Sequence, residues 1–113
     1  MCLFCDIIAG KIPSTRVYEN DDVLCFNDIN PAAPVHVLVV PKKHFDNIRD
    51  LANGDEGAKY LLAVSKAIDE VARLEQLDGG FRVVNNCGED GGQTVNHVHF
   101  HVIGGIKLDE HIL

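Results

Sequence analysis

Three imidazoles crowd into five positions near the end of the chain, His97-Val98-His99-Phe100-His101, followed by Val102-Ile103. Imidazole titrates near neutrality, so such a cluster can supply nucleophiles, proton carriers or metal ligands. In an extended segment side chains alternate, which sends Val98, Phe100 and Val102 one way and the three rings the other. Rings two residues apart are about 6.6–7 Å apart along a strand, so the middle one can act with either neighbour through a substrate or a water. Three readings fit: a solvent-facing strand that happens to carry histidine, a His-x-His metal face, and catalysis by an imidazole. The segment ahead of the rings favours catalysis. Asn85-Asn86-Cys87-Gly88-Glu89-Asp90-Gly91-Gly92-Gln93-Thr94 is glycine-rich, and such loops turn backbone N–H groups toward an anion. Gln93 and Thr94 add side-chain donors beside it.

A second spacing with chemical meaning is Cys2-x-x-Cys5, which suits structural zinc, a redox pair or two ordinary thiols. His44 and His97 could complete a Cys2His2 shell, a closed set that fits a structural ion. There are four cysteines in all, the others being Cys25 and Cys87. The N-terminus carries no basic segment before an apolar stretch, so reduced thiols or a metal site are expected ahead of disulfides, with a cytoplasmic address.

The elements that must position these groups are legible in outline. A chain of 113 residues with 46% apolar and 24% charged residues reads as one globular domain over residues 1–113. Its net charge of −7 argues against nucleic-acid binding, though one locally positive site could still take a small anion. The longest apolar run, Val37 to Val40, is far too short to cross a bilayer. Leu3 to Ala9 suggests one or two helical turns. Arg16 to Glu19 and Val23 to Asn27 read as strands joined through Glu19-Asn20-Asp21-Asp22. Asn30 to Pro34 must be irregular, and Val35 to Val40 reads as a strand buried on both faces. Asp55 to Leu77 has the only long helical period, ending before Gly79-Gly80. Phe81 to Val84 and His97 to Ile103 read as the last strands. Short turns between early strands favour antiparallel pairing, so the class is α+β.

With these residues in place, the sequence resembles the histidine triad (HIT) family, nearest to its Hint-like branch of purine nucleoside phosphoramidases. The resemblance rests on His-φ-His-φ-His-φ-φ with Gly-Gly-Gln-Thr before it and Gly-Gly after. It extends through Phe4-Cys5-Asp6-Ile7-Ile8, Lys11-Ile12-Pro13, Phe26-Asn27-Asp28-Ile29, the stretch from Pro34 to His44, and Val83-Val84-Asn85. It implies a five-stranded antiparallel sheet with one long and one short helix, dimerising into a ten-stranded sheet. It further implies cleavage of the P–N bond of purine nucleoside 5′-phosphoramidates, with His99 as nucleophile forming a nucleotidyl-histidine. His101 would contact the phosphate and move protons, and His36 would lie behind the nucleophile and orient it, or be a hydrogen-bonded core histidine. Gly92, Gln93 and Thr94 would hold the phosphate and leaving group, with Asn85 adding a polar contact. Asp28 would accept from the ribose hydroxyls. Ile29, Phe4 and Ile7 would form the slot for the base, although plain core packing accounts for them equally. Relatives that begin Cys-x-x-Cys imply zinc on Cys2, Cys5, His44 and His97, and no organic cofactor. Two other activities stay open: dinucleoside polyphosphate hydrolysis, as in the Fhit-like branch, and a nucleotide-binding regulatory module. The Gly-Gly after the triad and the short chain favour Hint. The loop from Asn85 to Gln93 is one residue longer than in animal Hint proteins, and the Trp-Pro-Pro-Gly terminus is absent.

Overall fold

The structure, a computed structural model, describes residues 2–112; Met1 and Leu113 of the expected domain lie outside the described residues. In chain order it contains α1 (Leu3–Ile8), β1 (Arg16–Glu19), β2 (Val23–Asn27), β3 (Val35–Pro41), α2 (Ile48–Asn53), α3 (Gly57–Leu74), β4 (Arg82–Val84) and β5 (Phe100–Gly104). The five strands form one antiparallel sheet in the order β1-β2-β3-β5-β4. The β1–β2 turn is tied by Asn20, whose Oδ1 accepts from the Asp22 and Val23 amides at 2.8 and 3.0 Å. That is the Asx-turn chemistry expected of its sequence.

Alternation along the central strands divides the apolar residues between two faces. Val23, Cys25, Val37, Val39, Phe100 and Val102 pack with Leu51 of α2 and with Val64, Ala67 and Val71 of α3. Leu24, Phe26, Leu38 and Val40 point the other way and meet Phe4 and Ile7 of α1. β3 is therefore covered on both sides, as its unbroken apolar run requires. Each fully buried Val or Leu contributes on the order of 1.5–3 kcal/mol, so these two layers supply most of the driving force.

Three boundaries differ from expectation. A second short helix, α2, is present, its first turn capped by Asn47 Oδ1 accepting from the Arg49 and Asp50 amides at 3.0 Å each. The long helix is shorter than Asp55 to Leu77. It ends at Leu74 because Gln76 takes a left-handed φ of 56°, and the Leu77 amide then bonds the Ala72 carbonyl at 2.9 Å. Gly79-Gly80 is not what stops it. Finally, β5 begins at Phe100, so His97 and His99 precede the ladder. The register Val39↔Phe100 would next bring Pro41 opposite Val98, and proline has no N–H to pair. Val98 instead donates to the Phe45 carbonyl at 2.7 Å.

Candidate active site and metal centre

Between α1 and its face of the sheet lies a cavity of about 700 Å3. Phe4, Ile7, Phe26 and Leu38 make its apolar wall, and Asp28, Thr94, His99 and His101 bring polar groups to it. Ile29 also lines it and is 92% exposed. The cavity includes residues that sequence reasoning missed: Ser14, Thr15, Phe26, Asn27 and Leu38. Parity could have found two of them. Phe26 is two residues from Asp28 on β2, and Leu38 lies across the ladder from His101.

The hydrogen bonds assign the ring protons. His99 Nδ1 is 2.8 Å from the His97 carbonyl, which only accepts, so Nδ1 carries the proton. His99 Nε2 therefore keeps its lone pair. The Ala32 amide donates to His36 Nδ1 at 2.9 Å, which puts the proton of His36 on Nε2. That nitrogen is 2.8 Å from His101 Nδ1, so it donates there and leaves the His101 proton on Nε2. His101 Nε2 is buried and has no partner. A buried donor without an acceptor beside a cavity marks where a ligand oxygen belongs. His36 is thus buried and bonded through both nitrogens, to the Ala32 amide and to His101, which fits the hydrogen-bonded core histidine of its two expected readings. One Asp28 oxygen accepts from the Asn30 amide at 2.8 Å, and the other lies 3.5 Å from His36 Nε2.

Burial lowers the proton affinity of both cavity histidines. His99 is pushed below its ordinary value by desolvation, against the opposing pull of the His97 carbonyl. His101 falls to about 4, through desolvation first and repulsion by His99 and His36 second. Both rings are neutral at pH 7.

The loop residues divide. Asn85 Nδ2 donates to the His99 carbonyl at 2.8 Å, so it braces the main chain of the histidine segment. Gln93 differs from expectation. Its amide nitrogen donates to the Asp46 and Val95 carbonyls at 2.6 and 2.9 Å, and its oxygen accepts from the Gly88 amide. Both N–H groups are committed to stapling the loop. Gly92 is exposed at φ 81°, and neither it nor Gln93, Asn85 or His36 lines the cavity.

A separate cluster gathers Cys2, Cys5, His44 and His97, whose ligand atoms all lie within 4.8 Å of one another. Cys2 Sγ is 3.3 Å from His97 Nδ1, Cys5 Sγ is 3.4 Å from His44 Nδ1, and the two Nδ1 atoms are 3.1 Å apart. A tetrahedral zinc shell with bonds of about 2.0–2.3 Å has edges of about 3.3–3.8 Å, near these spacings. The outer nitrogens are already engaged: His97 Nε2 donates to the Pro41 carbonyl at 2.8 Å, and His44 Nε2 to Asp46 Oδ1 at 2.6 Å. Both Nδ1 lone pairs consequently face each other and two sulfurs, an arrangement that suits a cation between them. As a free thiol Cys5 is pushed up to about 11, chiefly by burial and by its contact with Cys2. His36, His101 and Asp28 also lie within 4.8 Å of one another, but the hydrogen bonds above account for that grouping.

A family model described as the HIT domain matches residues 9–108. The chain is 45% identical over 111 residues to a 14 kDa zinc-binding protein of Zea mays, covering 95% of this chain and 84% of that one. Among solved structures, a histidine triad protein from Clostridium difficile superposes with a TM-score of 0.91 at 50% identity, covering 97% of this chain and 95% of that one. A HIT family hydrolase from Legionella pneumophila gives a TM-score of 0.91 at 40% identity, covering 97% of each chain. The histidine segment, the sheet that carries it and these likenesses agree, and the chain belongs to the HIT family.

Proposed function

We propose that this protein is a nucleotide-binding hydrolase that cleaves the P–N bond of purine nucleoside 5′-phosphoramidates. The single observation that carries the reading is the pair of opposed tautomers in one cavity: a bare Nε2 on His99 beside a donor Nε2–H on His101. His99 Nε2 attacks the α-phosphorus as the P–N bond breaks, and the departing nitrogen keeps the bond's electron pair and takes a proton from water to leave as the amine. A second water then attacks the nucleotidyl-imidazole: its hydroxyl goes to phosphorus, the phosphorus–Nε2 bond breaks to restore neutral His99, and its proton passes to solvent, giving the nucleoside monophosphate. His101 Nε2–H donates to a phosphoryl oxygen, where charge builds during attack. Asp28 offers its carboxylate to the ribose, and Phe4, Ile7 and Ile29 sandwich the base.

In the same reading zinc occupies the Cys2, Cys5, His44 and His97 cluster and holds α1 against the sheet. The naming of the Zea mays relative as zinc-binding and the converging lone pairs support it. Elemental analysis after purification without added metal is expected to find close to one zinc per chain.

Turnover of an adenosine phosphoramidate by the wild type and by His99→Ala tests the chemistry. Hydrolysis is expected to drop to background in the variant while AMP still binds. Full activity in His99→Ala would remove the nucleophile, and binding without turnover by either protein would leave a binding module. A diadenosine polyphosphate assayed in parallel measures the other branch of the family.

A further inference from the structure

His97 belongs to two sites at once. Its ring, fully buried, joins the Cys2, Cys5 and His44 cluster, while its carbonyl holds the Nδ1 proton of His99. A second link runs through α1. Phe4 sits between the two cysteines, and its ring meets His99 edge-on with centroids 5.0 Å apart and Phe26 at 5.6 Å. Three residues on, Ile7 forms the next part of the cavity wall. A helix of six residues does not persist by its own hydrogen bonds. It is anchored at its start by Cys2, whose sulfur accepts the Cys5 amide at 3.2 Å, and by Cys5 itself.

We infer that the four-ligand cluster is a positioning site for the nucleotide cavity, so that metal and nucleotide raise each other's affinity without touching. With an ion bound, the two Nδ1 lone pairs and the two sulfurs share one cation, which fixes the His97 backbone and the pitch of α1. With the ion removed, nothing holds those four donor atoms together. Phe4, Ile7 and the carbonyl that orients His99 then lose their common anchor. Linkage requires reciprocity: the factor by which zinc tightens nucleotide binding equals the factor by which nucleotide tightens zinc binding. Phe4 is the transmitting residue, since it alone on α1 contacts both His97 and His99 by ring packing.

The inference rests on the nucleotide reading of the cavity, and its test separates the two. AMP affinity is measured by calorimetry on zinc-loaded and chelator-stripped protein, and zinc affinity by chelator competition with and without saturating AMP. Stripping is expected to weaken AMP about tenfold or more, with an equal gain in zinc affinity when AMP is present. In Phe4→Ala, which keeps all four ligands, the mutual factor is expected to fall below about twofold. Asp46→Asn serves where stripped protein does not stay folded. It withdraws the carboxylate from His44 and lowers zinc affinity about 10–100-fold, so AMP affinity at partial occupancy should track the zinc bound. Amide exchange of residues 3–8, read without nucleotide, should slow on zinc addition. AMP affinities equal within twofold across the zinc titration overturn the coupling. If AMP binds neither form while exchange in α1 still slows with zinc, the nucleotide reading falls and the positioning role stands; if exchange is also unchanged, both fall.

Discussion

His101 shows how burial selects a protonation state for chemistry. Its ring resists protonation down to about 4, against an ordinary value of 6.5 that the unfolded chain regains. Between those limits the unfolded state holds more protons, so acid favours unfolding. The stability tied to a neutral His101 is complete above about pH 6.5 and is lost as pH falls toward 4. Denaturant midpoints at pH 7.5 and pH 5.0 are expected to differ, with the lower one at pH 5.0. Replacing His101 with Ala should reduce turnover about 10²–10³-fold, the range for a lost donor to a developing oxyanion, as read from kcat on an adenosine phosphoramidate. The histidine segment announced itself in the sequence because its period of two is local. The partner of His101 did not, because His36 lies 65 positions away and only the β3–β5 register brings the rings together.

At the scale of elements, strands with strong alternation or continuous apolar character could be read directly, and β1, β2 and β3 follow the expected limits closely. What escaped depended on contacts between elements. Six residues of α2 give too little periodicity to stand out, and β5 starts late because its neighbour ends in Pro41. The α2–α3 junction is tighter than any pattern indicates. A Cβ on Gly57 would stand 1.9 Å from the Leu51 carbonyl oxygen, a backbone atom that cannot swing aside. Gly57→Ala is therefore expected to destabilise the fold by roughly 1–3 kcal/mol, the usual cost of overpacking, as measured by urea unfolding. Unchanged stability would mean that α2 is free to shift along α3.

For the whole molecule, a net charge of −7 does not bar the anionic substrate proposed above, because the cavity offers it the unpartnered Nε2–H of His101. The same acidic surface leaves large apolar residues exposed, among them Phe81 and Val83 at and beside β4, and Leu61, Leu62 and Leu74 on α3. β4 is also one of the two edge strands of the sheet, β1 being the other, with its outer edge unpaired among the described residues. Edge pairing of two such strands would join the sheets of two copies, the ten-stranded arrangement that the family resemblance implies. Sedimentation is expected to give twice the monomer mass, and Val83→Lys to shift it toward monomer. Such an assembly was visible only through resemblance, since an exposed strand edge has no sequence mark of its own.

Cys25, fully buried in the middle of β2 with its thiol pushed up to about 12 by burial, gives the sheet a silent chemical clock. An alkylating reagent reaches that sulfur only when β2 leaves the core, so its labelling rate at fixed pH reports the opening free energy of the sheet. Cys87, half-buried in the loop, is the more accessible of the two and serves as the internal standard. Labelling of Cys25 should slow when zinc and AMP are both present, and mass spectrometry of the two tagged peptides measures it. A single chain thereby carries its own stability gauge, with no fluorophore or engineered residue required.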